Sequence, residues 1–462
     1  MTFVSFEYLV LLLAVFGVYY LLPWRPRMLF LLVANYVFYA YWEPWYAYVI
    51  GFTTLMDYAM ALLIDATQDP RRRKLFLTLS IAGNLAMLGY FKYTNFAVDT
   101  LKALLGSAAV GMTHLDVVLP AGISFYTFQE MSYTIDVYRR RIKPTRDLAL
   151  FATYVSFFPQ LVAGPIERAE TLLTQLQVPQ RFGFRRACDG VGLIFMGLFK
   201  KLVLADRISP FLYPKFRDPL SFDGYELLLS LVAMPVTLYL DFGAYTDIAR
   251  GSAKLLGIEL NRNFDFPFTS RSPGELWQRW HRTLTFWMRD YVFLPLSGRP
   301  VLSLLVPATL IGLWHGASWK FVLWGLGNGL ALGAYILWRI HGPTASERKK
   351  GGPVALAGTA VFWAWTLLLM ALFFCPDLRT AAVFWRQLFS APWLTTGDPS
   401  LLALVVFLAL FMALQITGRY AAWRETWDRV PDGVRGLAFA LLFYVVLFGS
   451  VPSGQKFVYY QF

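Results

Sequence analysis

Long apolar runs separated by short basic breaks dominate the sequence and limit the folds that it can adopt. One run, residues 301–319, contains no charged residue, and its length is close to the roughly 20 residues that an α-helix needs to cross a bilayer. Lipid offers no hydrogen bonds to a backbone, so a spanning segment must satisfy its own polar groups, and a helix does this within one segment. We therefore predict an all-α polytopic membrane protein.

Composition supports this class and excludes an ordinary soluble domain. The 462 residues are 57% hydrophobic, 18% aromatic and only 15% charged, whereas soluble domains are about 45–50% apolar. A net charge of +13 is also typical of nucleic-acid binding, but the basic residues fall between apolar runs, which is the pattern of cytoplasmic loops. We expect contact with membrane lipid and no nucleic-acid partner. The basic clusters are residues 71–74, 139–141, 185–186, 200–201 and 348–350.

The basic breaks also predict an orientation. Residues 3–22 form an apolar run without a basic start or a small-residue cleavage site, so we expect a first spanning helix and not a removed signal peptide. The breaks at residues 25–27 and 71–74 then lie on one side, which the positive-inside rule makes cytoplasmic, with the N-terminus outside. For any single cluster, binding the phosphates of a cytosolic cofactor stays an alternative. Cys188 and Cys375 lack metal or disulfide spacing, so we expect no metal site.

Three stretches are too polar or too broken to be plain spans. Residues 119–138 carry several polar groups, including Gln129, which must face protein or water and not lipid. Residues 157–166 contain two prolines and a glycine, which favours a re-entrant or broken element that lines a cavity. Residues 241–247 close an apolar run with two acids and a tyrosine, which indicates either the interface end of a helix or part of a site.

Two of the four histidines lie beside tryptophan in or against apolar sequence. Ser272 and Glu275 form a capping-box pattern that starts a helix, and helical spacing over residues 272–291 puts His281 on the aromatic face. Such a helix lies at a membrane interface or packs one face into a bundle. We expect the His281 side chain to point inward.

His315 lies inside the charge-free run. If that run is helical from residue 299, the side chain is about 24 Å along the axis, near the far side of the hydrocarbon. An ionisable group at such depth is costly and suggests a function, such as proton transfer near neutral pH. The alternative is a neutral histidine that donates one hydrogen bond to a backbone carbonyl.

Four sequence blocks resemble the bacterial alginate O-acetyltransferase-like branch of the membrane-bound O-acyltransferase (MBOAT) family. The blocks are residues 119–138, residues 157–166, residues 241–249, and residues 263–298 followed by 313–316. They occur in the family's order. After Gly329 the chain resembles the family only in being hydrophobic.

The resemblance implies a ring of roughly ten to twelve transmembrane helices, with re-entrant and interfacial helices, around a central tunnel. It implies one membrane domain over residues 1–462, with N-terminal helices in 1–118, a catalytic core in 119–330 and scaffold helices in 331–462. It also implies a multi-pass protein of the bacterial inner membrane with a periplasmic N-terminus.

The same resemblance implies an enzyme that moves an acetyl group from acetyl-CoA, its donor substrate, across the membrane for O-acetylation of an exported polysaccharide such as alginate. A periplasmic SGNH-type acetyltransferase or another polysaccharide-modification protein is the implied partner. His315, in the string Leu-Trp-His-Gly, matches the catalytic histidine of the family, and His281, in Arg-Trp-His, matches the second family histidine. The residues that we expect to line the tunnel or contact substrate are Gln129, Asp241, Tyr245, Asp247, Trp280, Trp314 and Asn328.

Two other functions stay open at the level of sequence. A related class of enzyme passes D-alanine from a carrier protein to teichoic acid and resembles the same blocks. A non-enzymatic transporter or flippase uses buried polar groups as a substrate path, but it predicts symmetrical halves, and no internal repeat is evident in the sequence.

Overall fold

The computed structural model describes residues 1–106, 111–341, 352–390, 392, 399–420 and 429–450, so the basic cluster at residues 348–350 lies outside the described residues. Over this part of the chain the secondary structure is helical and contains no β-strand, which confirms the predicted all-α class. Six described helices are long and apolar enough to cross a membrane, namely Tyr46–Ala66, Pro70–Leu105, Gly224–Leu255, Trp319–His341, Pro353–Phe374 and Pro399–Arg419. Shorter apolar helices within the same residues are Phe6–Tyr19, Pro300–His315 and Gly433–Gly449.

The chain divides into two compact units. The first contains residues 1–197 and 245–261. A π-helical segment, Gly89–Tyr93, continues its fourth helix into the fifth. The helices that begin in this unit are α1 (Phe6–Tyr19), α2 (Trp24–Ala40), α3 (Tyr46–Ala66), α4 (Pro70–Leu88), α5 (Thr94–Leu105), α6 (Ile123–Tyr138), α7 (Leu148–Ser156), α8 (Ala169–Leu176) and α9 (Phe184–Leu198).

The second unit contains residues 198–244 and 262–462. A second π-helical segment, Phe199–Ala205, follows α9 and leads into α10. Helix α11 has its residues 224–244 in this unit and the rest in the first. The helices that begin in the second unit are α10 (Asp206–Arg217), α11 (Gly224–Leu255), α12 (Pro273–Arg279), α13 (Arg282–Met288), α14 (Pro300–His315), α15 (Trp319–His341), α16 (Pro353–Phe374), α17 (Leu378–Ser390), α18 (Pro399–Tyr420) and α19 (Asp432–Gly449).

Helix α6 and the segment after α7 behave as their polar sequences predict. Nearly every residue of α6 is buried, so its polar groups face protein. Residues 157–166 are buried without forming a helix, which confirms the predicted broken element. The Asn35 side chain on α2 accepts a hydrogen bond from the Phe158 amide at 3.0 Å. That bond satisfies a backbone donor that a helix would otherwise satisfy.

The structure excludes one open alternative and corrects one expectation. Helix α11 does not end near residues 241–247, which was one of the two alternatives there, but continues through them for a total of 32 residues. The expectation that residues 301–319 form one span is wrong, because α14 ends at His315, where Gly316 has an extended backbone with φ −166°. A new helix, α15, then begins at Trp319. His315 therefore lies at a helix end, in the turn of a helical hairpin.

Glycine allows the two helices of this hairpin to approach closely. A Cβ atom added to Gly325 on α15 would collide with the Ala308 carbonyl oxygen on α14. A Cβ added to Gly312 on α14 would collide with the Phe321 carbonyl oxygen on α15. Small residues at crossing points let membrane helices pack backbone to backbone. The close packing fixes the position of His315, which is one turn after Gly312.

We predict that Gly325→Ala destabilises the hairpin, because backbone atoms at the contact cannot move aside as a flexible side chain can. Overpacking of this kind typically costs about 1–3 kcal/mol. The measurement is the thermal unfolding midpoint of the purified protein in detergent. Gly333→Ala on the same helix is the matched control, since the nearest atom to its added Cβ is Leu304 Cδ1 at 3.9 Å. Equal midpoints for the two variants would contradict the packing argument.

Candidate active site

His281 lies at a break between two short helices. The capping box starts α12 as predicted, with the Ser272 hydroxyl accepting from the Glu275 amide at 3.2 Å. The predicted continuous helix over residues 272–291 is wrong, however. Helix α12 ends at Arg279, and His281 has left-handed backbone geometry with φ 40° before α13 begins. A non-glycine residue in this region is uncommon and is often found at functional sites.

Hydrogen bonds from a neighbouring loop explain why the helix breaks. The Arg279 carbonyl accepts from the Asp265 amide at 3.0 Å, and the Arg282 amide donates to the Asn263 carbonyl at 2.9 Å. These backbone groups are satisfied outside the helix, so a continuous helical ladder is not required. The loop that supplies the partners is residues 263–265.

The His281 ring is buried among aromatic rings. The residue is 1% exposed, which confirms that it points inward. The centroid of its imidazole lies 4.8 Å from the Phe242 ring and 5.4 Å from the Trp314 ring. Neither ring nitrogen has a hydrogen-bond partner. Most buried polar atoms are hydrogen-bonded, so two unpaired ring nitrogens are consistent with a role in binding a substrate.

Burial also sets the protonation state of His281. The residue lies outside the spanning helices, and its burial lowers the pKa of the imidazole to about 3. Removal from water disfavours the charged form, and no carboxylate among the described residues contributes to the shift. The ring is therefore neutral at physiological pH, with one N–H donor and one acceptor nitrogen.

His315 faces the same aromatic cluster from the end of α14. The residue is 3% exposed. Its ring centroid lies 6.4 Å from that of His281, 5.4 Å from Trp324 and 5.2 Å from Phe373. The sequence predicted that both histidines take part in one site, and the structure places their rings side by side. These rings pack together, and we use the name histidine pocket for this group of side chains, which consists of His281, His315, Phe242, Trp314, Trp324 and Phe373.

Three other predicted site residues of the second unit lie in or near this pocket in the chain. Trp314 belongs to it. Trp280 packs against Phe264 at 5.0 Å between ring centroids, beside the helix break. Asn328 lies one turn after Trp324 on α15 and donates to the Trp324 carbonyl at 2.9 Å.

Asp241 belongs to a buried ion cluster next to the pocket. Its carboxylate lies 2.8 Å from the Lys201 ammonium, which is also 2.8 Å from the Asp206 carboxylate. All three side chains are almost fully buried. The interpretation of residues 200–201 as a loop cluster is wrong, because Lys201 lies in the π-helical segment and pairs with two acids. This ion cluster explains how α11 carries Asp241 in its middle, one residue before Phe242.

Gln129, Tyr245 and Asp247 lie in the first unit. The Gln129 amide donates to the Tyr154 carbonyl at 2.8 Å. The Tyr245 ring packs 5.7 Å from Phe3, and the Asp247 carboxylate lies 3.8 Å from Arg250. These contacts are structural ones within that unit. Their predicted role in lining a tunnel stays a prediction.

Sequence reasoning did not identify several residues that build the pocket. Phe242, Trp324 and Phe373 are ordinary aromatic residues of apolar helices and carry no local signal. Lys320 is another buried cation, and its ammonium donates to the Cys375 carbonyl at 2.6 Å and the Phe373 carbonyl at 3.3 Å. It therefore binds the C-terminal end of α16, where carbonyl groups lack helical partners, and holds Phe373 beside His315.

The C-terminal helices also support the site. Arg419 on α18 donates to the Glu275 carboxylate at 2.8 Å and to the Thr269 carbonyl at 2.7 Å. Glu275 in turn accepts from Arg279 at 3.1 Å. These bonds fix α12 on both sides.

The arrangement suits proton transfer in a water-poor site. Two imidazoles in an aromatic enclosure can accept a proton from a hydroxyl and donate a hydrogen bond to a carbonyl. Within the described residues, no group of three or more His, Cys, Asp and Glu side chains forms a metal site. The fold and the pocket thus define a polytopic membrane protein with a buried pair of histidines.

Comparisons with known proteins identify the family. A sequence profile of the MBOAT, membrane-bound O-acyltransferase family matches residues 137–376. The probable alginate O-acetylase AlgI of Azotobacter vinelandii is 39% identical over 345 residues, which cover 71% of this chain and 67% of that protein. The corresponding protein of Pseudomonas putida is 34% identical over 507 aligned positions that cover 100% of both chains. The peptidoglycan O-acetyltransferase of Helicobacter pylori is 33% identical over 345 residues, 68% of this chain and 65% of that protein.

The chain belongs to the membrane-bound O-acyltransferase family. It is a multi-pass membrane protein and an O-acyltransferase, which confirms the family that the four sequence blocks predicted. The family profile includes both histidines of the pocket.

We predict that Lys201→Met strongly destabilises the protein, because it leaves Asp206 and Asp241 buried without a cation. Removing one partner of a buried ion pair typically costs about 3–5 kcal/mol. The thermal unfolding midpoint in detergent measures the effect. Lys200→Met is the matched control, as its ammonium lies over the Tyr239 ring at 5.9 Å. Adding Asp206→Asn and Asp241→Asn to Lys201→Met should restore part of the stability. A Lys201→Met midpoint equal to that of the control would show that the ion cluster does not stabilise the fold.

Proposed function

We propose that this O-acyltransferase moves an acetyl group from cytosolic acetyl-CoA across the membrane, for O-acetylation of an exported polysaccharide such as alginate. The observation that carries the proposal is the pair of buried imidazoles, 6.4 Å apart between ring centroids. The names of the relatives support an acetyl group and an extracellular glycan as acceptor. A periplasmic acetyltransferase of the SGNH type, or another polysaccharide-modification protein, is the partner that completes the transfer.

His315 acts as the general base in this proposal. Its ring removes the proton from an acceptor hydroxyl while that oxygen bonds to the thioester carbonyl carbon. The resulting tetrahedral intermediate collapses, the carbon–sulfur bond breaks, and the leaving thiolate takes the proton from the His315 imidazolium. The products are an ester and free CoA thiol. The acceptor is either the glycan itself or a group that passes the acetyl on to the partner.

His281 orients the reacting group and binds the developing negative charge. Its neutral ring can donate one hydrogen bond to the carbonyl oxygen, which gains charge in the intermediate. Hydrogen bonds of this kind span about 2.6–3.2 Å, so a group held between two rings at the observed spacing is within reach of both. The surrounding aromatic rings exclude water, which limits hydrolysis of the thioester.

The proposal also includes the location of the enzyme, its domain organisation and the path of its substrates. We place the enzyme in the bacterial inner membrane with a periplasmic N-terminus, as the basic breaks indicate. One membrane domain contains the catalytic core between residues 119 and 330. Side chains proposed to line the path of the substrates are Gln129, Asp241, Tyr245, Asp247, Trp280, Trp314 and Asn328.

The main test uses purified protein in lipid with acetyl-CoA labelled in the acetyl group. We expect release of free CoA thiol together with transfer of label to a glycan or partner acceptor. His315→Ala should lower the rate by about 10²–10⁴, the usual cost of removing a general base. Size-exclusion chromatography and thermal unfolding establish that the variant is folded. Near wild-type transfer by folded His315→Ala would falsify the assignment.

Controls separate this reaction from the two alternatives. His341→Ala changes an exposed histidine at the end of α15 and should leave the rate unchanged. A D-alanyl carrier thioester, offered in place of acetyl-CoA, tests for a D-alanyltransferase, and preference for it would overturn the acetyl donor. Movement of label across the membrane with the thioester intact would instead identify a transporter.

The protonation state of His281 determines how the reaction rate should depend on pH. Because burial lowers the pKa of His281 to about 3, this residue stays neutral over the working range and should contribute no ionisation to the pH–rate profile. We expect His281→Gln, which keeps a hydrogen-bond donor and an acceptor, to lower the rate without changing the shape of the pH–rate profile between pH 5 and pH 8. A change in the shape of that profile in His281→Gln would show that His281 itself titrates in the working range.

A further inference from the structure

Three helices of the first unit enclose a group of polar side chains that includes two carboxylates. Asp57 lies on α3 and Glu130 on α6, and each is fully buried. Residues three or four apart on a helix share one face, and the polar residues of each helix follow that spacing. We call this group the acid cluster, and its members are Thr54, Asp57, Ser80, Asn84, Glu130 and Thr134.

Hydrogen bonds connect the acid cluster across the three helices. The Asp57 carboxylate accepts from the Ser80 hydroxyl at 2.5 Å and from the Asn84 amide at 2.6 Å, so it joins α3 to α4. Ser80 is also 2.9 Å from the Thr134 hydroxyl on α6. The Thr54 hydroxyl donates to Glu130 Oε1 at 3.1 Å.

Two acceptor atoms of the cluster have no hydrogen-bond partner. They are Glu130 Oε2 and Asn84 Oδ1, both in fully buried side chains. The Asn84 amide oxygen only accepts hydrogen bonds, and the Glu130 oxygen can donate only when it is protonated, so an ionised cluster requires a donor or a cation. Buried acceptors are normally satisfied, and two in one cluster indicate a bound positive group.

The acid cluster also lacks a basic partner among the described residues. No lysine, arginine or histidine acts on Asp57 or on Glu130. Arg73 on α4 is instead bonded to the carbonyls of Ile64 and Tyr138. In the second unit, by contrast, the two buried acids Asp206 and Asp241 share the cation Lys201. Two ionised carboxylates buried without a cation are strongly disfavoured.

We propose that the acid cluster binds one exchangeable positive charge, either a proton shared by the two acids or an alkali cation of the size of Na⁺. Carboxylate, hydroxyl and amide oxygens are the ligands of hard cations. With two acids and no histidine or cysteine, the cluster does not suit a transition metal. This binding site is separate from acyl transfer, and its test needs no donor or acceptor.

Other titratable groups face the cluster and must be considered in any pH experiment. They are tyrosines on the packed helices. Glu130 acts on Tyr36 and Tyr39 of α2 and on Tyr126 of α6, whereas Asp57 acts on Tyr133 of α6. Tyrosines are neutral below about pH 9. Between pH 5 and pH 8 these tyrosines therefore do not titrate, and the difference between wild type and the cluster variants reports on the acids.

The first arm of the test measures thermal unfolding of the full-length protein in detergent. NaCl replaces choline chloride at constant ionic strength and pH. If the ligand is Na⁺, the wild-type midpoint should rise by at least about 2 °C in a saturable manner. Glu130→Gln and Asp57→Asn should each abolish this rise. Asp136→Asn is the matched control on α6, since Asp136 pairs with Arg141 at 3.5 Å, and it should keep the rise.

The second arm varies pH at a fixed salt concentration. If the ligand is a proton, a carboxyl group protonated in the folded state loses it as pH rises, so the wild-type midpoint should fall between pH 5 and pH 8. Glu130→Gln should flatten this dependence, and Asp136→Asn should not. Should the acid variants fail to fold, Ser80→Ala keeps both carboxyl groups and removes one ligand oxygen. It is then expected to weaken the Na⁺ effect or alter the pH dependence.

The proposal is overturned if the wild-type midpoint is independent of Na⁺ and the cluster variants have the same pH dependence as the wild type. It is equally overturned if Na⁺ stabilises the wild type and the cluster variants by the same amount. Either result would show that the acid cluster is a structural hydrogen-bond network and binds no exchangeable charge.

Discussion

Burial of two imidazoles among aromatic rings is the constraint on which the rest of the site depends. A buried polar ring must be held in one position by its surroundings. Here three separate sets of contacts hold the two histidines and their aromatic neighbours. Glycine contacts hold the α14–α15 hairpin that ends in His315. Loop 263–265 takes over the backbone bonds at the helix break before His281. The Lys320 ammonium holds the end of α16, and with it Phe373.

The two units differ in whether their buried charged side chains have partners of opposite charge. In the second unit, each buried lysine is matched by carboxylates or by free carbonyls at a helix end, so its charge is compensated within the protein. The acid cluster of the first unit contains two carboxylates and no such cation. Structural ion pairs and a binding site therefore differ in one respect, which is whether a basic side chain lies next to the buried carboxylates.

The sequence was sufficient for the class and the family, because long apolar runs and unusual motifs can be recognised without knowledge of packing. It also singled out the two histidines whose rings the structure brings together. It could not predict that the helix breaks at His281, since the capping signal was correct and the break depends on bonds from residues far away in sequence. Lys201 was misinterpreted for a related reason. A lysine pair near an apolar run resembles a cytoplasmic loop until its acidic partners are located in space. Phe242 and Phe373 gave no local signal at all.

The central claim is that the two imidazoles together bind the group that reacts. The most direct measurement is a cryo-electron microscopy structure of the enzyme with a non-transferable thioether analogue of acetyl-CoA. The account predicts that the acyl mimic lies between the rings, with hydrogen bonds to a nitrogen of His281 and of His315. An analogue bound with its acyl mimic outside the histidine pocket, and with both rings unchanged, would contradict it.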